Sequence, residues 1–217
     1  MLNLKYKNKT IQISCDGGAA TGKSTGAKMI AKKYNLKFLS SGLLYRYATF
    51  MIIKYQPRNK VKFLSAKFKN LDIKKLEKMN LHSPLISEKS AKIAKINSIR
   101  NILKKFQINF AKKNKNCCIE GRDISTKILP KSDLKFFFTC SLRIAAQRRF
   151  DELKKTNNKI KLKDVKKALK IRNNLDTKRK NSPLLKHRDS VEIDTGKLNK
   201  QAMLAKMTKH VKRILNY

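Results

Sequence analysis

The sequence lacks the features that mark several other classes of protein. No apolar run approaches the length of a membrane span, and Met1–Lys7 lacks the apolar core of a signal peptide. The cysteines form neither a CxxC pair nor a zinc-ligand spacing, and the three histidines are scattered without a metal or triad arrangement. The four cysteines all lie in predicted buried strands or beside one: Cys15, Cys117, Cys118 and Cys140. We therefore expect a cytoplasmic protein with reduced thiols and no membrane partner.

Acidic residues are also scarce, with 14 Asp and Glu against 54 Lys and Arg, which gives a formal net charge of +40. Such a charge is typical of proteins that bind nucleic acid or an anionic membrane. The lysines, however, are spread from Lys5 to Lys212, with no basic tail and no cluster of aromatic residues between the charges. We interpret most of them as solvated surface residues that attract polyanionic ligands and bind nucleic acid non-specifically at low salt, and we expect no specific nucleic-acid partner.

Glycine is rare too, and four of the seven glycines lie in one short stretch. An alternating apolar segment precedes that stretch and a helical pattern follows it. Within it, Gly17, Gly22, Lys23 and Ser24 fit the pattern G-x-x-x-x-G-K-[ST], whose backbone N–H groups surround a phosphate while Lys23 supplies charge. Ser24 is placed to hold Mg²⁺. The alternative is a flexible glycine turn between a strand and a helix.

The remaining pattern alternates short apolar strands with amphipathic helices. Further strands are predicted at about 36–39, 117–119, 135–140 and 191–193. Tight strand–helix–strand units imply a parallel sheet, whose ligands lie at the C-terminal ends of the strands. We therefore predict one α/β domain over residues 1–217, with a central parallel sheet of about five strands.

Polar and charged residues follow two of these strands. Ser40, Ser41 and Arg46 come after one, and the run from Glu120 to Asp123 comes after another. Charged residues crowded on a glycine at the end of a buried strand are poorly explained by packing, so we predict a site there. For Arg46 the alternative is an exposed charge on a helix.

Three longer segments carry weaker signals. Residues 57–87 are lysine-rich and of mixed period, which we interpret as a small mobile insertion. One long helix is predicted over 87–113, with Arg100 off the centre of its apolar stripe and facing either a cleft or water. A polar, cation-rich stretch at 154–159 is interpreted as a flexible flap.

A further helix is predicted from Val165 to about Lys180. Its spacing places Arg172, Asp176 and Arg179 on one face. These residues form either part of a site or an exposed ladder of salt bridges, and the spacing alone leaves both possibilities open.

Taken in order, these landmarks resemble bacterial cytidylate kinase, a family of nucleoside-monophosphate kinases of the P-loop class, over nearly the full chain. The resemblance rests on these positions: Asp16-Gly17 to Thr25, Ser41-Gly42, Tyr45-Arg46, Arg100, Leu103, Gln107, Gly121-Arg122-Asp123, Thr126, Pro130, Arg148-Arg149, Arg172, Asp176, Arg179 and Pro183-Leu184. It implies a three-layer P-loop kinase fold with a small NMP-binding insertion at 57–87 and a mobile lid at 152–163.

The resemblance further implies an ATP-dependent kinase that phosphorylates CMP and dCMP with Mg²⁺, and we expect a monomer. The implied ATP-binding residues are Gly17, Gly18, Ala19, Ala20, Thr21, Gly22, Lys23, Ser24, Thr25 and Arg148, with Ser24 on the metal. The implied CMP-binding residues are Ser41, Arg46, Arg100, Arg122, Asp123, Arg172, Asp176 and Arg179. Lys23, Arg122 and Arg179 would be catalytic, and Asp123 would accept a hydrogen bond from the cytosine amine, which uracil lacks.

The chain departs from the family pattern at several positions. Ser40 stands where an acidic residue is common, Leu175 replaces a frequent arginine, and Ala91 stands where a base-contacting serine is usual, with Ser90 beside it. No clear Walker-B aspartate is present. Glu120 ends the right kind of strand, so its role with Mg²⁺ is a hypothesis.

Two alternatives compete with CMP kinase activity. One is a P-loop kinase for another acceptor, such as UMP or a small non-nucleotide alcohol. The other is a basic nucleic-acid-binding protein with a vestigial P-loop, as the net charge of +40 invites. Removing the ammonium group of Lys23 separates the second alternative from a kinase.

Overall fold

A parallel sheet of five strands forms the centre of the computed structural model, which describes residues 9–155 and 158–215. The strands are β1 (Gln12–Gly17), β2 (Lys37–Ser40), β3 (Cys117–Gly121), β4 (Leu134–Thr139) and β5 (Val191–Asp194). They lie in the order β2-β3-β1-β4-β5, and every neighbouring pair is parallel. Residues 1–8, where no signal peptide is predicted, and positions 156 and 157 of the predicted lid lie outside the described residues.

Helices connect and cover the strands. They are α1 (Lys23–Lys33), α2 (Ser41–Tyr55), α3 (Lys60–Lys69), α4 (Ile73–Glu77), α5 (Pro84–Ile93), α6 (Asn97–Lys113), α7 (Leu142–Lys154), α8 (Leu162–Lys178) and α9 (Lys200–Leu215), with a π-helical turn at Ile124–Ile128. Within the described ranges, each helix is too short or too polar to cross a membrane.

Both faces of the sheet are packed against helices, because side chains alternate along each strand. On β3, Cys118 joins a buried cluster with residues of α1 and α9, whereas Cys117 and Ile119 join a second cluster with α2, α3 and α6. All five residues of β3 are buried, as expected for a central parallel strand. These layers confirm the predicted three-layer α/β fold, and all four cysteines are free thiols.

The segment interpreted as an insertion contains α3, α4 and the start of α5. Leu64, Phe68, Leu76 and Leu81 from this segment are buried in the second core cluster. The lysine-rich pattern conceals these helices because only a narrow stripe of each is buried, while lysine occupies many of the remaining positions. The insertion boundaries of 57–87 stay a prediction.

The prediction of one helix over 87–113 is wrong, since α5 ends at Ile93 and α6 begins at Asn97. At the break, the guanidinium of Arg100 donates to the carbonyl oxygen of Ala94 over 3.0 Å. That oxygen would otherwise accept from the backbone N–H four residues later in a continuous helix. A hydrogen bond from the buried Arg100 side chain, six residues along the chain, therefore satisfies the carbonyl at the end of α5.

Helix α8 also ends earlier than predicted, at Lys178. Arg179 follows in an extended conformation, with φ −66° and ψ 138°, and its Nε donates to the Ser182 carbonyl. Arg179 therefore does not share a helical face with Arg172 and Asp176. The chain turns at Ser182, which has a positive φ of 53°. This turn directs the Arg179 side chain toward the end of the sheet.

Candidate active site

The loop between β1 and α1 lies at the carboxyl end of the central strand and is shaped for close backbone approach. A Cβ atom on Gly17 would lie 2.5 Å from the Phe138 carbonyl oxygen, so no side chain fits there. Gly22 begins the helix in the left-handed region, with φ 79°. The buried Lys23 ammonium turns back over the loop and donates to the Gly18 carbonyl at 3.4 Å.

Two residues that were not predicted from the sequence to belong to the site hold this loop in place. Asn173 of α8 accepts a hydrogen bond from the Ala19 backbone N–H at 3.2 Å. Thr195, after β5, donates to the Thr21 carbonyl at 2.8 Å and accepts from the Arg148 guanidinium at 2.9 Å. No local motif marks Asn173 or Thr195, because both act across more than 150 residues of sequence.

Lys23 and Glu120 form a buried ion pair, with Nζ and Oε2 3.5 Å apart. Ser40 and Ser24 also hydrogen-bond to the Glu120 carboxylate. Burial opposes ionisation, but Lys23 and these hydroxyl groups together hold the pKa of Glu120 below its ordinary value. Burial, with Arg122 nearby, lowers the pKa of Lys23 to about 8. Ser40, one of the departures from the family pattern, thus serves to orient Glu120.

A second charged cluster follows β3 and joins it to α8. Arg122 Nε donates to Asp176 Oδ2 at 2.9 Å, and Arg179 lies 3.4 Å from the other oxygen of Asp176. Arg179 also lies 3.8 Å from Asp123. Burial opposes ionisation of Asp176, but Arg122, Arg172 and Arg179 hold its pKa below the usual value. The residues therefore form a cluster of mostly buried ion pairs and not an exposed salt-bridge ladder.

Arg100 faces this cluster and not water, which settles the alternatives for its orientation. Its Nη2 donates to Asp123 Oδ2, and its guanidinium carbon lies 5.6 Å from the centre of the Tyr45 ring. Arg100 and Asp123 are only 7% and 4% exposed. Because each carboxylate oxygen has two lone pairs, Asp123 retains acceptor capacity toward a ligand.

Asp16 holds in place the backbone that follows Asp123. The carboxylate is fully buried and accepts from the backbone N–H groups of Ile124 and Ser125 at 2.8 and 2.7 Å, and from the Ser125 hydroxyl at 2.6 Å. Strand β1 therefore fixes the chain immediately after Asp123. The sequence pattern identified Asp16 only as the start of the glycine-rich loop.

Three arginines retain unused hydrogen-bonding capacity. Arg46 Nε, Arg172 Nε and Arg179 Nη2 are buried without a hydrogen-bond partner. Burial, together with neighbouring arginines, lowers the pKa of Arg172 to about 10 and the pKa of Arg46 below its ordinary value. Clustered cations that disfavour one another are stabilised by an anionic ligand.

One cavity of 880 Å³ unites the loop and the arginine cluster. Every predicted site residue lines it except Gly17 and Gly18, which lie in the loop backbone behind it. The predicted residues at the cavity wall are Ala19, Ala20, Thr21, Gly22, Lys23, Ser24, Thr25, Ser41, Arg46, Arg100, Arg122, Asp123, Arg148, Arg172, Asp176 and Arg179. The cavity therefore offers a phosphate-binding loop at one side and an arginine-lined, carboxylate-containing seat at the other.

The donor groups suit Mg²⁺ held together with a nucleotide. Ser24 and the ionised Glu120 supply oxygen atoms next to Lys23, and oxygen is the ligand that Mg²⁺ prefers. Among residues 9–155 and 158–215, no three His, Cys, Asp or Glu side chains cluster as a complete metal site. Mg²⁺ characteristically takes few protein ligands and completes its shell with phosphate oxygens and water.

Comparison with known proteins agrees with this geometry. The family model described as "Cytidylate kinase" matches residues 13–213. Proteins named cytidylate kinase from Rickettsia akari (strain Hartford) and Clostridium botulinum (strain Okra / Type B1) are each 33% identical, covering 98% and 94% of this chain and 98% of their own lengths. A crystal structure of an uncharacterized protein from Eubacterium ventriosum ATCC 27560 shares the fold, with a TM-score of 0.55 and 18% identity over 94% of this chain and 99% of that one. The chain belongs to the cytidylate kinase family.

Proposed function

We propose that this enzyme transfers the γ-phosphoryl group of ATP to CMP and to dCMP, giving ADP and CDP or dCDP. The observation that carries the proposal is the single 880 Å³ cavity in which the phosphate-binding loop meets the arginine and aspartate cluster. A volume of this size accommodates both nucleotides, with their phosphates facing one another. Neither the UMP-kinase alternative nor the nucleic-acid-binding alternative is favoured by the family assignment.

ATP binds through the loop from Gly17 to Thr25. Backbone N–H groups and the Lys23 ammonium hold its phosphates. Arg148 lies at the outer side of the loop, where its guanidinium donates to Thr195. The Ala19 N–H, which donates to Asn173 in this structure, becomes a phosphate donor when Asn173 moves away. Ser24 and Glu120 would hold Mg²⁺, which would neutralise part of the phosphate charge.

CMP binds in the arginine-lined seat. Arg46 and Arg122 hold its phosphate, because both are partly buried cations whose planar guanidinium groups match phosphate oxygens. Arg172 and Asp176 hold the sugar, and Ser41 lies beside them at the cavity wall. The buried Nε of Arg172 has no hydrogen-bond partner and provides a donor for this purpose.

Arg100 and Asp123 read the base. Asp123 is ion-paired to both Arg100 and Arg179, which keeps it in place as an acceptor. The exocyclic amine of cytosine donates to a carboxylate, whereas uracil presents a carbonyl there. Two opposed acceptors in a buried site cost about 1–3 kcal/mol, so UMP is disfavoured.

Catalysis follows from positioning and charge. An oxygen of the CMP phosphate attacks the γ-phosphorus of ATP, a new P–O bond forms, and the bond to the ADP oxygen breaks. The attacking oxygen is already ionised, so no general base is required. Lys23, Arg122 and Arg179 stabilise the charge that spreads over the phosphoryl oxygens. The NMP-binding insertion at 57–87 and the lid at 152–163 close over the two substrates.

The enzyme works as a cytoplasmic monomer in this proposal, with ATP, CMP or dCMP and Mg²⁺ as its partners. A comparison of Lys23→Ala with Lys32→Ala tests the kinase assignment. Both remove one lysine charge from α1, but Lys23 is buried over the loop and Lys32 is exposed. Lys23→Ala should lower CMP-dependent ADP formation by about 10²-fold or more, and Lys32→Ala should leave it unchanged. Turnover retained in Lys23→Ala would contradict the proposal.

A further inference from the structure

The outer corner between α2 and α3 carries a set of aromatic and cationic side chains outside the active-site cavity. We call Phe50, Lys54, Tyr55, Phe63 and Lys67 the basic aromatic patch. The Tyr55 and Phe63 rings lie 5.6 Å apart at 48°. None of the five residues lines the active-site cavity. Phe63 and Lys67 belong to the 57–87 segment, but the function proposed above gives none of the five side chains a contact with either substrate.

Two lysines in the patch lie over three rings. The Lys54 ammonium is 5.3 Å from the Tyr55 ring centre and 5.9 Å from that of Phe50. The Lys67 ammonium is 5.6 Å from the ring centres of both Tyr55 and Phe63. The fold thus produces the interleaving of aromatic rings with cations that was not apparent along the sequence, since Lys54 and Lys67 belong to different helices.

The patch is accessible and lies in an acid-free part of the chain. Tyr55 is 50% exposed, and Lys54 and Lys67 are exposed as well. No Asp or Glu occurs between Asp16 and Asp72, whereas twelve Lys and Arg do. A large aromatic side chain flanked by cations with no acid in the same stretch is complementary to a ligand that combines negative charge with flat, stackable groups.

We propose that the basic aromatic patch binds single-stranded nucleic acid without sequence preference. A base stacks on the exposed Tyr55 ring, while Lys54 and Lys67 move from the ring faces to adjacent phosphates. A long lysine side chain reaches both positions, because its ammonium group is mobile about a four-carbon stem. Duplex nucleic acid is a poorer ligand because its bases are already stacked on one another and present no free face.

The test uses the full-length enzyme and a fluorescein-labelled oligouridylate of about 12 nucleotides, with binding followed by anisotropy at several salt concentrations. Saturating ADP and CMP are included so that the active-site cavity is filled. Tyr55→Leu should weaken binding about tenfold, whereas Tyr55→Phe should bind like the parent enzyme because it keeps the ring. CMP kinase activity should be unchanged in both variants, which verifies that the fold survives.

A charge-matched pair of double variants separates the patch from the overall charge. Lys54→Ala/Lys67→Ala should reduce the slope of log affinity against log salt by about 1.4, as expected for two lost phosphate contacts. Lys209→Ala/Lys212→Ala, on exposed positions of α9, removes the same charge and should change the slope far less.

Two outcomes would overturn the proposal. Equal weakening by both double variants, with no effect of Tyr55→Leu, would mean that diffuse charge alone binds the strand. Tyr55-dependent binding to vesicles of phosphatidylserine and phosphatidylcholine, with oligouridylate binding unaffected by Tyr55→Leu, would instead assign the patch to an anionic membrane surface.

Discussion

The Lys23 ammonium lies 3.5 Å from the Glu120 carboxylate, and this buried pair joins the end of β3 to the start of α1. The residue that we propose as a Mg²⁺ ligand therefore balances the charge of the phosphate-binding lysine. In the proposed complex, ATP phosphate would pair with Lys23 and Glu120 would be a ligand of Mg²⁺.

The first prediction concerns protons taken up with ATP. Burial lowers the pKa of Lys23 to about 8, and a bound triphosphate raises it again. The free enzyme is therefore protonated at Lys23 below that value and increasingly neutral above it. ATP affinity should fall by about tenfold per pH unit above pH 8, with proton uptake approaching one. Calorimetry in buffers of different ionisation enthalpy measures this number.

Lys23→Arg provides the control for that measurement. Arginine keeps its charge across the whole range, so its proton uptake above pH 8 should be close to zero. The same uptake in Lys23→Arg as in the parent enzyme would assign the proton to another group.

The second prediction concerns Glu120. Glu120→Gln retains an acceptor for Ser40 but removes the negative charge next to Ser24. The Mg²⁺ concentration for half-maximal activity should rise about tenfold or more. Glu152→Gln, at the exposed rim of the same cavity, should leave the Mg²⁺ dependence unchanged. An unaltered Mg²⁺ requirement in Glu120→Gln would remove Glu120 from the metal site.

The third prediction concerns stability. Asp16→Ala leaves two buried backbone N–H groups and the Ser125 hydroxyl without their acceptor, so it should destabilise the fold by about 3 kcal/mol. Asp133→Ala also removes an aspartate that accepts a backbone N–H, from Gln12, but at an exposed site. Asp133→Ala should lower the free energy of unfolding by about 1 kcal/mol or less. Urea unfolding measures the free energy of unfolding of both variants. An equal decrease in the two would mean that the hydrogen bonds to Asp16 stabilise the fold no more than an exposed one does.

The fourth prediction concerns base selection. Asp123→Asn replaces a carboxylate oxygen with an amide nitrogen that donates, so it should lower kcat/KM for CMP by about 10²-fold while UMP suffers less. ATP affinity should hardly change, because Asp123 lies on the acceptor side of the cavity. Equal losses for CMP and UMP would mean that Asp123 only orients Arg100 and Arg179.

The parts of the fold that depend on local sequence were predictable. The strand, glycine-rich loop and helix around Lys23 follow from local pattern, and β3 follows from a run of buried apolar residues. The order of charged residues after β3 also located one wall of the cavity, since parallel strands present their C-terminal ends at one edge.

The parts that depend on distant partners were not predictable. At the break between α5 and α6, Arg100 bonds both the Ala94 carbonyl and Asp123, which lies 23 residues further along the chain, and periodicity encodes neither contact. Asn173 and Thr195 reach the phosphate-binding loop from the other end of the chain. Their identities, an ordinary asparagine and threonine, carry no motif, so only the folded structure reveals them.

The most direct test of the central claim is the rate of ADP formation by the parent enzyme with ATP, Mg²⁺ and each of AMP, CMP, dCMP, UMP and GMP as acceptor. The arginine-lined seat with its buried Asp123 predicts that CMP and dCMP give the highest kcat/KM, with UMP at least about tenfold lower. No turnover with CMP, or a clear preference for a purine nucleotide or for UMP, would contradict it.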